Sequence, residues 1–245
     1  MKEGKGLLHE ALEAHGGLER WKEANEISFN ASTGGIALPL KLQFSAFRNY
    51  HGNVSTDPKF AYSAFTPYYK DGLQGVFQNG SVRILAKGGT VFAERTNPRA
   101  ELKELRQQFM WDPLDTLYFG GYAMWNYMNL PFLLTAPGIE LFEIEPWQEG
   151  SQKLRRLHAV FPAQFHTHSK EQTFYFSEEG LLVRHDYTAE AFGSWAKVAH
   201  YSVGHKEFDG LKFATIRRVF PRMPDNTPLK FITLVSIDIE DIKIK

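Results

Sequence analysis

The chain of 245 residues has no cysteine, which excludes disulfides, thiol nucleophiles, cysteine-bound zinc and a lipid-modified N-terminal cysteine together. It has no surplus of either charge: 28 basic residues balance 28 acidic ones, and no basic run exceeds Arg155-Arg156 or Arg217-Arg218. Nucleic acid is therefore not an expected partner. It also has no long apolar run. The longest, Tyr127 to Leu134, is broken by Asn129 and Pro131 and is too short to cross a bilayer, so no transmembrane segment is expected. Met1-Lys2-Glu3-Gly4-Lys5-Gly6 leads into a polar helical pattern instead of a signal peptide's apolar core, and a cytoplasmic location is expected unless a leader has been removed. No serine sits in a nucleophile elbow, and Gly34-Gly35 and Gly88-Gly89 read as turns, not as phosphate or dinucleotide loops. No cofactor is indicated.

What is present is a core. Apolar residues make up 43% of the chain and no repeat, linker or low-complexity tract divides it, so residues 1–245 are expected to form one domain. Leu7, Leu8, Ala11 and Leu12 recur at helical spacing and stop at Gly16-Gly17, with a short amphipathic turn through Leu18 and Trp21 after it. Alternation then predicts antiparallel strands through Ile27, Phe29 and Ala31 and through Leu38, Leu40, Leu42 and Phe44. Asp57 to Lys70 reads as a rim loop or irregular edge. Asn79-Gly80 is the strongest hairpin turn, and Lys87-Gly88-Gly89 supplies another. Asn97-Pro98 and Asp112-Pro113 each place a capping residue before a proline at the first helical position. The first helix should run toward Phe109. The second carries Leu114, Leu117, Tyr118, Tyr122, Trp125 and Tyr127, with Gly120-Gly121 a thin or kinked point, and Pro131 to Leu134 reads as a hinge or lid. So aromatic a helix needs the concave side of a curved sheet to cover it. The fold class expected is α+β: a curved, mainly antiparallel half-barrel wrapping inserted helices, with an N-terminal helix and a long final strand between Phe231 and Ile244.

Turn arithmetic between Phe174 and Phe220 makes the sharpest prediction. Ser177-Glu178-Glu179-Gly180 has the form of a short hairpin turn that sets Phe176 opposite Leu181 and Gln172 opposite His185. With Glu190 opposite Trp195, His185 faces His200. With Glu207 opposite Leu211 across Phe208-Asp209-Gly210, His200 faces Arg218. Side chains alternate between the faces of a strand, so the row Gln172, His185, His200 and Arg218 joins Phe174, Phe176, Leu181, Val183, Tyr187 and Val198 on the inward face. Glu171, Thr173, Arg184, Asp186, Lys197 and Arg217 fall on the other, where water would solvate their charges.

The order of elements resembles the LolA/LolB-like half-barrel superfamily of bacterial lipoprotein carriers and receptors. The resemblance rests on the helix closing at Gly16-Gly17 with Trp21 after it, and on Gly180-Leu181-Leu182 through Arg184, Asp186 and Tyr187. Tyr201, Phe208-Asp209-Gly210-Leu211 and the final strand continue it. It implies a concave face that holds acyl chains or other apolar ligands; at least one relative in pigment biosynthesis looks like an enzyme without a cofactor. The chain departs from the carriers in lacking an evident export signal and a lipidated cysteine, and in its Trp111 to Leu134 insertion. No functional residue is carried over.

Two chemistries compete with simple binding. His166-Thr167-His168 puts two imidazoles on one side of an extended segment, but Glu171 follows at an odd step that turns it to the other face. A metal site from His168, His185 and His200 is one alternative to having no metal. Metal-free acid and base catalysis by His185 or His200 beside Arg218 is the other. The reading from sequence is that a small hydrophobic or amphiphilic molecule binds in the concave face. Phe174, Phe176, Val183, Tyr187, Tyr122 and Trp125 would hold its body, and Arg218, His185, His200 and Gln172 its polar head. An enzyme acting on a hydrophobic substrate is the alternative function.

Overall fold

The computed structural model describes residues 2–102 and 105–245. Short β1 (Lys2–Glu3) precedes α1 (Lys5–Ala14) and α2 (Leu18–Lys22). Six strands follow: β2 (Glu26–Gly34), β3 (Asn49–Ser55), β4 (Tyr62–Thr66), β5 (Gln74–Gln78), β6 (Ser81–Leu85) and β7 (Val91–Arg95). Helices α3 (Pro98–Glu101), α4 (Leu105–Phe109) and α5 (Pro113–Asn129) interrupt the strands. The chain then returns through β8 (Glu140–Glu149), β9 (Gln152–Val160), β10 (Glu171–Phe176), β11 (Leu182–Thr188), β12 (Lys197–Phe208), β13 (Leu211–Pro221) and β14 (Val235–Ile244). All strand pairs are antiparallel, in the order β1-β8-β9-β10-β11-β12-β13-β14-β2-β3-β4-β5-β6-β7. The curved sheet does not close, since β1 and β7 remain edges. No helix among the described residues is long and apolar enough to cross a membrane.

Helix α5 fills the hollow. Its start is fixed as the sequence predicts: the Asp112 carboxylate accepts from the backbone N–H of Leu114 and Asp115, and the Asp115 carboxylate accepts from the N–H of Asp112. Such a reciprocal cap is worth about 1 kcal/mol. The helix lies against β3 to β7, and Gly120-Gly121 is a point of close approach, not a kink. A Cβ on Gly120 would collide with the Phe47 ring and one on Gly121 with Phe77. Leu7, Leu8, Ala11 and Leu12 of α1 are buried in the same core, and Trp21 stacks on Phe132 with ring centres 4.3 Å apart.

Several local expectations give way. Leu38 to Phe44 is not a strand: Pro39–Lys41 forms a 3-10 turn and Leu42 takes a positive φ of 63°, so alternation here reflects a wound loop whose Leu40, Leu42 and Phe44 are exposed. Asp57 to Lys70 contains a true strand, β4. The helix predicted from Pro98 toward Phe109 is seen as α3 and α4, residues 103 and 104 lying outside the described residues. Pro131 to Leu134 is no lid, because Phe132, Leu133 and Leu134 are core residues; their apolar side chains are more stable there than in water by about 1.5–3 kcal/mol each.

Candidate ligand cavity

Of the three predicted registers, the middle one is as expected. His185 stands opposite His200 across β11 and β12. The first is shifted by two residues, so that Gln172 faces Tyr187 and Phe174 faces His185, which keeps the same face inward. A bulge at the end of β10 brings Leu182 opposite Phe176; Leu182 joins the core and Val183 is left half-buried.

The third register is off by one, and that reverses the arginines. The hairpin is tighter than predicted, with Phe208 opposite Leu211, so Arg218 faces Tyr201 and Arg217 faces Ser202. Arg218 is a partly exposed outer residue paired with Asp238 at 2.7 Å, and it takes no part in the histidine row. Arg217 is the inward cation, 4% exposed. It donates to Ser202 Oγ at 3.0 Å and to the Tyr127 carbonyl at 2.8 Å, with no partner for its Nε. Among the described residues no carboxylate pairs with it. Burial lowers its pKa to about 10.

The outward face is not all solvated either. Arg184 and Asp186, expected in water, are buried as a two-pronged ion pair at 2.8 and 2.9 Å. Glu149 from the end of β8 binds Arg184 at 2.6 Å, and the Asn226 carbonyl accepts from it at 2.7 Å. A loop and a hairpin end thus cover this face, which strand alternation alone does not reveal.

Inside, His185 and His200 form a row with Gln172. The Gln172 amide N–H groups go to Thr167 Oγ1 and the Ser169 carbonyl, so its oxygen accepts from His185 Nε2 at 2.5 Å. That assigns the His185 proton to Nε2 and leaves Nδ1 as an unpartnered acceptor. Neither ring nitrogen of the fully buried His200 has a partner. Burial first, and then Arg217 and neighbouring imidazoles, holds both rings neutral, well below the usual histidine range.

His168 joins this row with both ring nitrogens held by tyrosines. Its Nε2 is 2.7 Å from Tyr127 Oη and its Nδ1 is 3.3 Å from Tyr122 Oη. The ring stacks on Tyr187 at 4.0 Å, and Tyr127 and Tyr187 hydroxyls meet at 2.9 Å. With both nitrogens of His168 occupied by tyrosines, the His168, His185 and His200 triad is not assembled. No cluster of three potential metal-binding His, Asp or Glu side chains occurs among the described residues.

Above the tyrosines lies an open cavity of about 240 Å³. Phe119, Ala123, Met124 and Tyr127 of α5 form one wall, and Tyr187, Val198, Val219 and Ile237 of the sheet form the other. Leu40 and Trp195 stand at the mouth. The lining is almost wholly apolar, the character of a pocket for an apolar body. Arg217 lies one step below it, two residues from Val219 and opposite Ile237 on β14.

The residues proposed from sequence surround this space unequally. Tyr187 lines it. Phe174 and Phe176 are fully buried, with Phe174 stacked on His185 at 4.3 Å. Tyr122 contacts His168, and Trp125 borders a separate recess with Phe165 and His166. Among the cavity residues that the sequence reading did not propose are Ala123, Met124, Phe119 and Trp195. The first three sit in the aromatic helix already singled out, one helical turn or less from Tyr122, and carried a signal; Trp195 was used only as the hairpin partner of Glu190 and carried none.

No family model matches the chain, and no curated protein matches it. Solved structures do. A DUF1329 family protein from Desulfovibrio piger superposes with a TM-score of 0.59 at 11% identity, over 100% of this chain and 94% of that one. A LolA superfamily protein from Nitrosomonas europaea gives 0.55 at 8% identity, over 100% and 94%. A domain named as an outer membrane lipoprotein-sorting protein, from Vibrio parahaemolyticus, gives 0.56 at 10% identity, over 99% and 94%. With its open antiparallel sheet, its N-terminal helix and α5 in the hollow, the chain has the LolA-like half-barrel fold.

Proposed function

We propose that the chain binds and carries a small amphiphile, with the apolar body in the cavity between α5 and the sheet and an acidic head directed toward Arg217. The observation that carries this reading is the open apolar cavity whose inner end adjoins a buried cation without a carboxylate partner among the described residues. An uncompensated buried charge costs several kcal/mol, and an anionic head would supply what the fold leaves out. The lipoprotein-sorting name of one structural neighbour is consistent with a hydrophobic cargo.

The geometry favours binding over acid and base catalysis. A general base works best with a pKa near the operating pH, whereas burial depresses His185 and His200 far below it. Neither ring lines the cavity.

Native mass spectrometry of the gently purified chain, compared with its denatured mass, tests the reading. A retained adduct of lipid or metabolite size, or saturable uptake of added lauric acid or dodecanol, is the expected result. An unliganded mass with no uptake of either probe overturns it.

A further inference from the structure

We infer that the mouth of the cavity docks on an anionic lipid surface. Exposed large apolar side chains are common singly, but here they gather around one opening. Leu40 and Trp195, 64% and 78% exposed, line the mouth itself. Ile36, Leu42 and Phe44 extend the rim from the Leu40 side, and Phe44 is 58% exposed. Backbone bonds from Ile36 and Ala37 to Thr233 and Leu234 bring in the segment holding Phe231, which is 82% exposed. Lys41 Nζ donates to the Gln107 and Gln108 carbonyls, which anchors Phe109, 72% exposed, on the other flank. Four separate segments therefore present apolar tips at one end of the hollow.

Charge selects the occupant. In a chain with 28 acidic residues, the stretches 27–56, 191–206 and 226–237 that carry the rim tips Ile36 to Phe44, Trp195 and Phe231 contain no aspartate or glutamate, Glu190 and Asp225 standing at their margins. Their charged side chains are basic: Arg48 is exposed and donates to the Phe44 carbonyl, Lys197 stands exposed at the mouth, and Lys230 is exposed next to Phe231. Apolar tips with an aromatic anchor, on stretches whose charges are cationic, match an anionic headgroup layer over acyl chains. An interface between copies of the chain would bring these like charges together. Docked this way, the cavity opens onto the layer that holds amphiphiles, yet docking does not depend on which ligand the cavity takes.

Co-sedimentation with vesicles tests the inference on the full chain. Binding to vesicles of equal parts phosphatidylcholine and phosphatidylglycerol is expected, with at least about ten-fold less on phosphatidylcholine alone and release by salt. Phe44→Asp and Phe231→Asp, which touch rim residues outside the cavity lining, should each lower binding about ten-fold while leaving lauric acid uptake intact. Phe92→Asp, an exposed phenylalanine on edge strand β7, should change nothing. Failure to sediment with either vesicle overturns the inference but not the cavity reading. So does a wild-type dimer in light scattering that Phe44→Asp and Phe231→Asp disperse, or an equal loss in Phe92→Asp.

Discussion

Arg217 reaches across the hollow to Tyr127: its guanidinium donates to the Tyr127 carbonyl at 2.8 Å and lies 5.1 Å from the centre of the same residue's ring. The contact ties β13 to α5 with a cation that the apolar surroundings disfavour. Removing a buried cation relieves its desolvation cost, which offsets the loss of its hydrogen bonds to Ser202 and the Tyr127 carbonyl. Arg217→Met should therefore change the unfolding free energy by no more than about 1 kcal/mol, while the preference for lauric acid over dodecanol falls about ten-fold, equivalent to about 1.4 kcal/mol. Isothermal titration with the two probes and urea unfolding read the two effects separately. Arg218→Met, on the outer face, should leave the preference unchanged.

Ala123 is a small buried residue of α5 on the cavity wall. Ala123→Phe adds a ring where space exists, so the helix need not move and the cost of overpacking stays below about 1–3 kcal/mol. Ligand uptake should fall by at least about ten-fold, about 1.4 kcal/mol of binding energy, and the adduct in native mass spectrometry should disappear. A variant that folds and still retains the adduct would place the ligand elsewhere.

How far the sequence could be read follows from what sets each feature locally. The cap at Asp112 and the pairing of His185 with His200 depend on a few adjacent residues, and both are as expected. Arg217 and Arg218 exchanged roles because one residue of turn length decides which of two consecutive arginines faces inward. No composition argument detects such a step. The burial of Arg184 and Asp186 depends on Glu149 and Asn226, which are remote in sequence. Leu38 to Phe44 shows the limit of alternation as a signal: it scores as a strand, yet Pro39 and the positive φ of Leu42 wind it into a loop. Its exposed leucines then become the rim of the cavity, a role that only the assembled fold defines.

Acid should destabilise the fold through its buried histidines. His168 is 1% exposed, and burial lowers its pKa from 6.5 to about 3, while His15 and His205 are lowered to about 4. A depressed folded-state pKa means that the unfolded chain binds more protons between these values and 6.5. The stability is fully present above about pH 6.5 and is lost as the pH falls through that window, at up to about 1.4 kcal/mol per pH unit for each such group. Urea midpoints at about pH 7 and about pH 5 should show this decline, and His168→Gln should make it shallower even where the variant is less stable overall. An equally steep decline in His168→Gln would mean that His168 does not contribute to it.

Two glycines in helices separate packing from propensity. Gly121 lies where α5 meets β5, and a Cβ there would run into the Cβ of Phe77, a backbone-proximal atom with little room to yield. Gly6 lies in the first turn of α1, and a Cβ there meets nothing within 4 Å. Alanine is the better helix former at both by up to about 1 kcal/mol. At Gly121 the collision should outweigh that gain, so Gly121→Ala is expected to destabilise by about 1–3 kcal/mol and to pry α5 from the sheet, weakening ligand uptake with it. Gly6→Ala should instead be neutral or stabilising by a few tenths of a kcal/mol. Thermal unfolding of the two variants beside the wild type decides the matter; a stabilised Gly121→Ala would show that α5 does not need its close approach to β5 to seat in the hollow.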